Sequence, residues 1–266
     1  MTNPETSQPD HPGRRIDVVF VVGGVWHDFD FARRELLGLL AEHDEFRVRV
    51  QPDYEDTSRF EPVAPFAAQI LVTYTCDVRP SERAQRVLRD WVERGGRWVA
   101  LHGTSFAQDL TPDGWAVADR MPLFVDTLGS QFIAHPPIAP YTVRSVAPDH
   151  WLVAGVEPFD ATDELYLNEY PDRSALTPLL QTSYRGDARG FAEHDWNNTD
   201  PDHLVMYLRP LGEGGVLYNT LGHCRSHYDM VPLKPYYPNV DRCAWDLPVF
   251  HELLRRSLRW ARGATA

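Results

Sequence analysis

The chain opens its readable part with Ile16-Asp17-Val18-Val19-Phe20-Val21-Val22, a near-continuous β-branched run that ends at Gly23-Gly24. Such a run suits a strand buried on both faces, as in a parallel sheet. Phe29, Ala32, Leu36, Leu37 and Leu40 then repeat at helical spacing, with Asp28 or Asp30 available as the cap. Phe46 to Val50 alternates apolar and charged residues, which predicts a strand near the sheet edge. Gln69 to Tyr74 is a further buried strand. Over 81–94, Ala84, Val87, Leu88, Trp91 and Val92 share one helical face, and Gly95-Gly96 stops the helix. Arg97 to Leu101 follows directly as a strand. The alternation predicts an α/β fold: a doubly wound, mostly parallel sheet flanked by helices, with right-handed crossovers.

Residues 107–203 carry a weaker pattern, rich in Pro, Asp and aromatics. Short strands are predicted at 142–146 and 177–181, and the segments 107–140 and 184–203 read as long inserted loops of the kind that shape binding sites. Strands return at 204–208 and 215–220, and a helix runs over 248–262. Residues 1–13 hold nothing to bury and read as a flexible tail; 14–266 read as a single domain.

Composition narrows the function classes. Lys plus Arg is 26 and Asp plus Glu is 38, a net charge of −12. That balance argues against nucleic acid and against an anionic membrane surface as partners. No apolar run approaches the ~20 residues of a membrane span, and no signal peptide is visible. Three scattered Cys fit a reducing compartment, so a cytoplasmic protein is expected. Eight Trp leave room for an apolar contact surface, which allows a homo-oligomer.

Ligands of open parallel sheets bind beyond the carboxyl ends of the strands. Three such ends deliver a His: His27 after the first strand, His102 after the strand ending at Leu101, and His223 after the late strand. His223 and His227 have i,i+4 spacing, which on a helix would place both imidazoles on one side as metal candidates. His135 lies in a Pro-fixed loop. In Asp163-Glu164-Leu165-Tyr166, only one of the two adjacent acids can face a given cleft if the segment is extended. No GxGxxG follows the first strand and no GxxxxGK[ST] exists, so no nucleotide cofactor is expected.

Taken in order, Val21-Val22-Gly23-Gly24 with His27, Gly95 through His102, Phe132 through Pro136, Asp163 through Tyr166, Gly212 through His223 and Leu258 through Ala261 resemble the ThuA-like (trehalose utilisation) family. The resemblance spans about residues 16–262 and implies a class I glutamine amidotransferase-like, flavodoxin-related fold. His102 then looks like the elbow residue that is Cys in the amidotransferases, and His223 like their late His. With His at the elbow, a glutaminase thioester is not available. The resemblance implies a role in carbohydrate metabolism, and a divalent metal in the His cluster is compatible with it.

The reading that follows is an enzyme, hydrolase or isomerase, acting on a small-molecule carbohydrate or keto-sugar derivative. His102, His223 and Glu164 are its candidate catalytic residues. Trp26, His27, His135 and Tyr166 are its candidate substrate-binding residues. The alternatives are a non-catalytic sugar-binding or regulatory protein and a metal-dependent hydrolase.

Overall fold

The structure, a computed structural model, describes residues 15–117, 121–196, 201–227 and 239–263. The tail predicted over 1–13 therefore lies outside the described residues. In chain order the elements begin with β1 (Ile16–Gly24), α1 (Phe29–Leu40), β2 (Phe46–Gln51), β3 (Ile70–Cys76), α2 (Glu82–Glu93) and β4 (Arg97–Leu101). The middle holds β5 (Gln108–Thr111), β6 (Gly114–Val117), α3 (Pro122–Leu128), β7 (Gln131–Ala134), β8 (Ala139–Ser145), β9 (Phe159–Asp163) and β10 (Leu167–Glu169). The last elements are β11 (Thr177–Ser183), β12 (Asp202–Leu211), β13 (Gly214–Asn219) and α4 (Pro248–Ala261).

One sheet runs β2-β1-β3-β4-β13-β12-β11-β8-β9. Its first five strands are parallel to one another, and the pairs from β13 to β9 are antiparallel. The mixed α/β architecture expected from the strand–helix alternation is thus present, with an antiparallel extension on one side. β2 is a terminal strand, as its charged alternation predicted. Asp28 caps α1 by accepting the Phe31 N–H at 3.0 Å, and Ser81 caps α2 through the Ala84 N–H at 3.3 Å. Each cap satisfies a donor that the helix itself leaves unpaired.

The parallel strands are buried on both faces because their side chains alternate between two cores. Val18, Phe20 and Val22 join Ile70, Val72, Val99 and Leu101 against α1 and α4. Val19 and Val21 join Leu71, Trp98 and Ala100 against α2 and α3. A third, smaller cluster, built on Phe132, Leu167 and Phe191, backs the region that the sequence pattern left as loop. That region holds the hairpin β5–β6 and the strand β7, which pairs with β10 from outside it. Among the described residues, no helix is long and apolar enough to cross a membrane.

Candidate functional site: a buried His–Glu cluster

β1, β3, β4 and β13 are parallel neighbours, so their carboxyl ends lie side by side. The segments leaving them carry His27, Cys76, His102 and His223 to one edge. The chain turns sharply there. Trp26 has φ +74° and His102 has φ +40°, both in the left-handed region. For residues with a side chain that conformation costs about 1–3 kcal/mol and persists only where surrounding packing fixes it. At His102 the fixing is visible. A Cβ on Gly103 would stand 2.5 Å from the Thr75 carbonyl oxygen, so only Gly lets the turn press against the end of β3. The Tyr218 hydroxyl donates to the His102 carbonyl at 2.5 Å.

His27, His102, Glu164 and His223 form a group whose candidate ligand atoms all lie within 4.8 Å of one another. The Glu164 carboxylate is 3.4 Å from His102 Nε2 and 3.2 Å from His223 Nδ1. The ring of His27 lies 4.8 Å from that of His102 and 4.9 Å from that of His223, centroid to centroid. All three imidazoles are buried.

Two of the rings are oriented by backbone carbonyls. His102 Nδ1–H donates to the Thr220 carbonyl at 2.8 Å, and His27 Nδ1–H donates to that of Val25 at 3.2 Å. For His27 the bond fixes the tautomer and leaves Nε2 with a lone pair turned away from the carbonyl; for His102 it orients the ring so that Nε2 faces Glu164 and Tyr166. His27 Nε2 and His223 Nε2 are buried with no hydrogen-bond partner among the described residues. Burial, reinforced by His102 and His223, pushes His27 well below its ordinary value and keeps it neutral. Burial opposes ionisation of Glu164, but the neighbouring imidazoles of His135, His223 and His102 outweigh it and hold the carboxyl well below its usual range.

The flanking candidates take distinct places. Tyr166 is buried with its ring 4.6 Å from that of His102, and its hydroxyl is 3.3 Å from His102 Nε2. His135 is half-buried, with Nε2 3.7 Å from Glu164. Trp26 meets Trp115 edge-to-face at 5.6 Å on the wall of a cavity of ≈ 860 Å³ that opens over the cluster. His227 departs from the expected metal pair: residues 221–227 form no helix, so i,i+4 spacing does not bring its ring beside that of His223, and His227 is not part of the four-residue group.

Several contributors were not singled out from sequence. Trp115 is presented by the β5–β6 hairpin, whose turn Thr111-Pro112-Asp113-Gly114 carries a clear turn signal that would have placed it. Phe191 reaches the cavity from the predicted loop 184–203, tied by backbone pairing to Trp115. Of the two acids, Glu164 faces the imidazoles. Asp163 instead accepts the backbone N–H groups of Gly222, His223 and Ala244 at 2.9, 3.1 and 3.2 Å. Cys76 lines the cavity, but burial, with Glu164 and Asp77, pushes its thiol well up, which disfavours a thiolate nucleophile.

A mixed α/β sheet with a buried three-His, one-Glu cluster at the carboxyl edge of its parallel strands defines the class of protein. Within that class the comparisons are specific. The sequence model of the trehalose utilisation family, ThuA, matches residues 18–234, and the chain belongs to this family. A ThuA-like protein from Parabacteroides merdae ATCC 43184 superposes with a TM-score of 0.65 at 18% identity, covering 95% of this chain and 92% of that one. A ThuA-like protein from Bacteroides uniformis ATCC 8492 gives 0.60 at 16% identity, over 96% and 95% of the two chains. The β-galactosidase of Rahnella sp. R3 shares the fold over 95% of this chain but only 32% of its own, with a TM-score of 0.52 at 11% identity. No curated protein sequence matches the chain.

Proposed function

We propose that this chain is an enzyme of carbohydrate metabolism that acts on a sugar or keto-sugar derivative at a divalent-metal centre held by His27, His102, Glu164 and His223. The observation that carries the reading is the convergence of these four groups within 4.8 Å, the three imidazoles buried, with two imidazole nitrogens left without hydrogen-bond partners among the described residues. A buried polar atom without a partner is costly, and a cation satisfies several such atoms at once. The donor set fits a metal of the zinc, manganese or iron kind, which imidazole and carboxylate ligands suit. The carbonyl partners of His27 and His102 are the outer contacts that orient metal-binding imidazoles.

When bound, such an ion would supply Lewis-acid polarisation of a sugar carbonyl or hydroxyl. The chain's own groups do the rest. Tyr166 holds a proton at its hydroxyl beside His102 Nε2, since burial and Glu164 keep its phenol protonated. His135 stands between Glu164 and the open cavity, where its half-buried ring can hydrogen-bond a sugar hydroxyl.

Metal analysis of the purified protein tests the centre directly. One equivalent of a divalent metal is expected, lost in Glu164→Gln together with turnover of sugars and their keto forms. Metal-free protein that remains fully active on a sugar would refute the metal. Stoichiometric sugar binding without turnover would favour a non-catalytic sugar-binding protein.

A further inference from the structure

The cavity over the His–Glu cluster has two chemically different ends. Its inner end is polar: His27 and His223 are buried there, with the part-buried Glu164 and His135 beside them. Exposure then rises outward to half-buried Trp26 and Trp115 and to exposed Pro137, so the outer wall is largely aromatic and aliphatic. The charged groups of the wall are already matched, Arg225 by Asp241 and Arg189 by Asp187. Among the described residues the outer wall is thus mainly rings and aliphatic surface, with the exposed Arg189 guanidinium at its rim.

The aromatic wall is a built feature. Trp26 and Trp115 stand nearly perpendicular, at 81°, and form a corner against which a flat ring can lie on one indole face and meet the other edge-on. Trp26 is held in the left-handed region at φ +74°. Trp115 is held by its backbone: its N–H donates to the Gly190 carbonyl at 2.9 Å, and its carbonyl accepts the Ala192 N–H at 2.8 Å. At ≈ 860 Å³ the space lies near the upper end of the ~300–1,000 Å³ range of small-molecule sites, more than one sugar ring requires.

We infer that the substrate is a glycoside with a flat aromatic aglycone, its sugar on the His–Glu cluster and its aglycone in the Trp26–Trp115 corner. A flat aryl group buries its whole face against indole, whereas a second sugar ring can lay only its C–H face there and buries less apolar surface. The inference rests on the proposed sugar site and adds the chemistry of the leaving half.

Phenyl and methyl glucopyranosides, both anomers, together with trehalose and phenol, are titrated into the intact protein by calorimetry and tryptophan fluorescence. The phenyl glucoside of one anomer is expected to bind about 10-fold tighter than its methyl counterpart, the scale of burying one ring against indole. Trp115→Ala is expected to remove that preference, whereas Trp115→Phe keeps it; the bonds that seat the hairpin are made by main-chain atoms, which neither substitution replaces. Equal binding of phenyl and methyl glucosides, or tighter binding of trehalose, overturns the aglycone inference and leaves the sugar site standing. Phenol binding as tightly as phenyl glucoside, or no binding of any glycoside, overturns the sugar site and the inference with it.

Discussion

Asp163 accepts the backbone N–H of His223 at 3.1 Å, while the carboxylate of the next residue, Glu164, lies 3.2 Å from the His223 ring. One acid holds the frame and the other faces the cleft. Asp163 also takes the Gly222 and Ala244 N–H groups, and its Oδ1 accepts the N–H of Glu164 at 2.7 Å. A carboxylate is acceptor-only, which a cradle of four donors requires.

Asp163→Asn presents an amide NH₂ to that cradle and leaves a buried donor unanswered. Stability is expected to fall by about 3 kcal/mol, the scale of one or two buried N–H groups without an acceptor. Urea unfolding measures it. The variant should also bind metal more weakly, because Glu164 and His223 both hang from this carboxylate.

Gly103→Ala sets a Cβ 2.5 Å from the Thr75 carbonyl oxygen and 3.0 Å from Cys76 Cβ. Both neighbours belong to the buried end of β3 and yield poorly. A loss of about 1–3 kcal/mol is expected from such overpacking, together with displacement of His102. Thermal unfolding and metal stoichiometry report the two effects separately.

His223 and His227 should part company. His223→Ala removes a proposed ligand and should lower metal affinity by at least about 100-fold, more than loss of an outer contact costs. His227→Ala should leave affinity unchanged. Equal losses in a metal titration would return His227 to the site.

Cys76 should be chemically quiet. Its thiol is buried and its ionisation is opposed by burial, Glu164 and Asp77, and burial likewise pushes Cys224 up to about 12. Iodoacetamide should not label either residue in the native protein at neutral pH, and Cys76→Ser should retain turnover. Rapid loss of activity on alkylation of Cys76 would contradict the neutral-thiol assignment.

Glu42, just beyond α1, pairs with Arg255 of α4 at 2.8 Å, and the hydrogen bond from Arg255 lowers its carboxyl from 4.5. Because the folded value is depressed, the pair's contribution is complete above the unfolded value and disappears as pH falls through the folded one. Both side chains are about two-fifths exposed, so the contribution is only ~0.5 kcal/mol. Glu42→Gln should therefore be slightly less stable than the parent at pH 7 and equal to it at acid pH, in matched denaturant curves.

The parts of the fold written in local pattern were legible. β1, β3 and β4 are short runs of buried side chains, and α1 and α2 carry both an apolar stripe and a capping Asp28 or Ser81. The region over 107–140 was not read as structure, because its strands are four residues each and α3 spans only seven. Such elements are too short for periodicity to register. Their punctuation was present nonetheless, in the turn before Trp115 and in Pro122 and Gly129 at the two ends of α3.

By itself, the sequence determined that predicted parallel strands would be followed by His27, His102 and His223, and that no more than one of Asp163 and Glu164 could face a given cleft. These follow from alternation and strand ends, which are local properties of a chain. Only the tertiary structure decided that β1, β3, β4 and β13 lie side by side, that Glu164 and not Asp163 joins the imidazoles, and that Trp115 comes to face Trp26. Those outcomes depend on strand order and on loops closed across long stretches of sequence. They are set by which buried surfaces and backbone donors find partners, and no window of neighbouring residues contains that information.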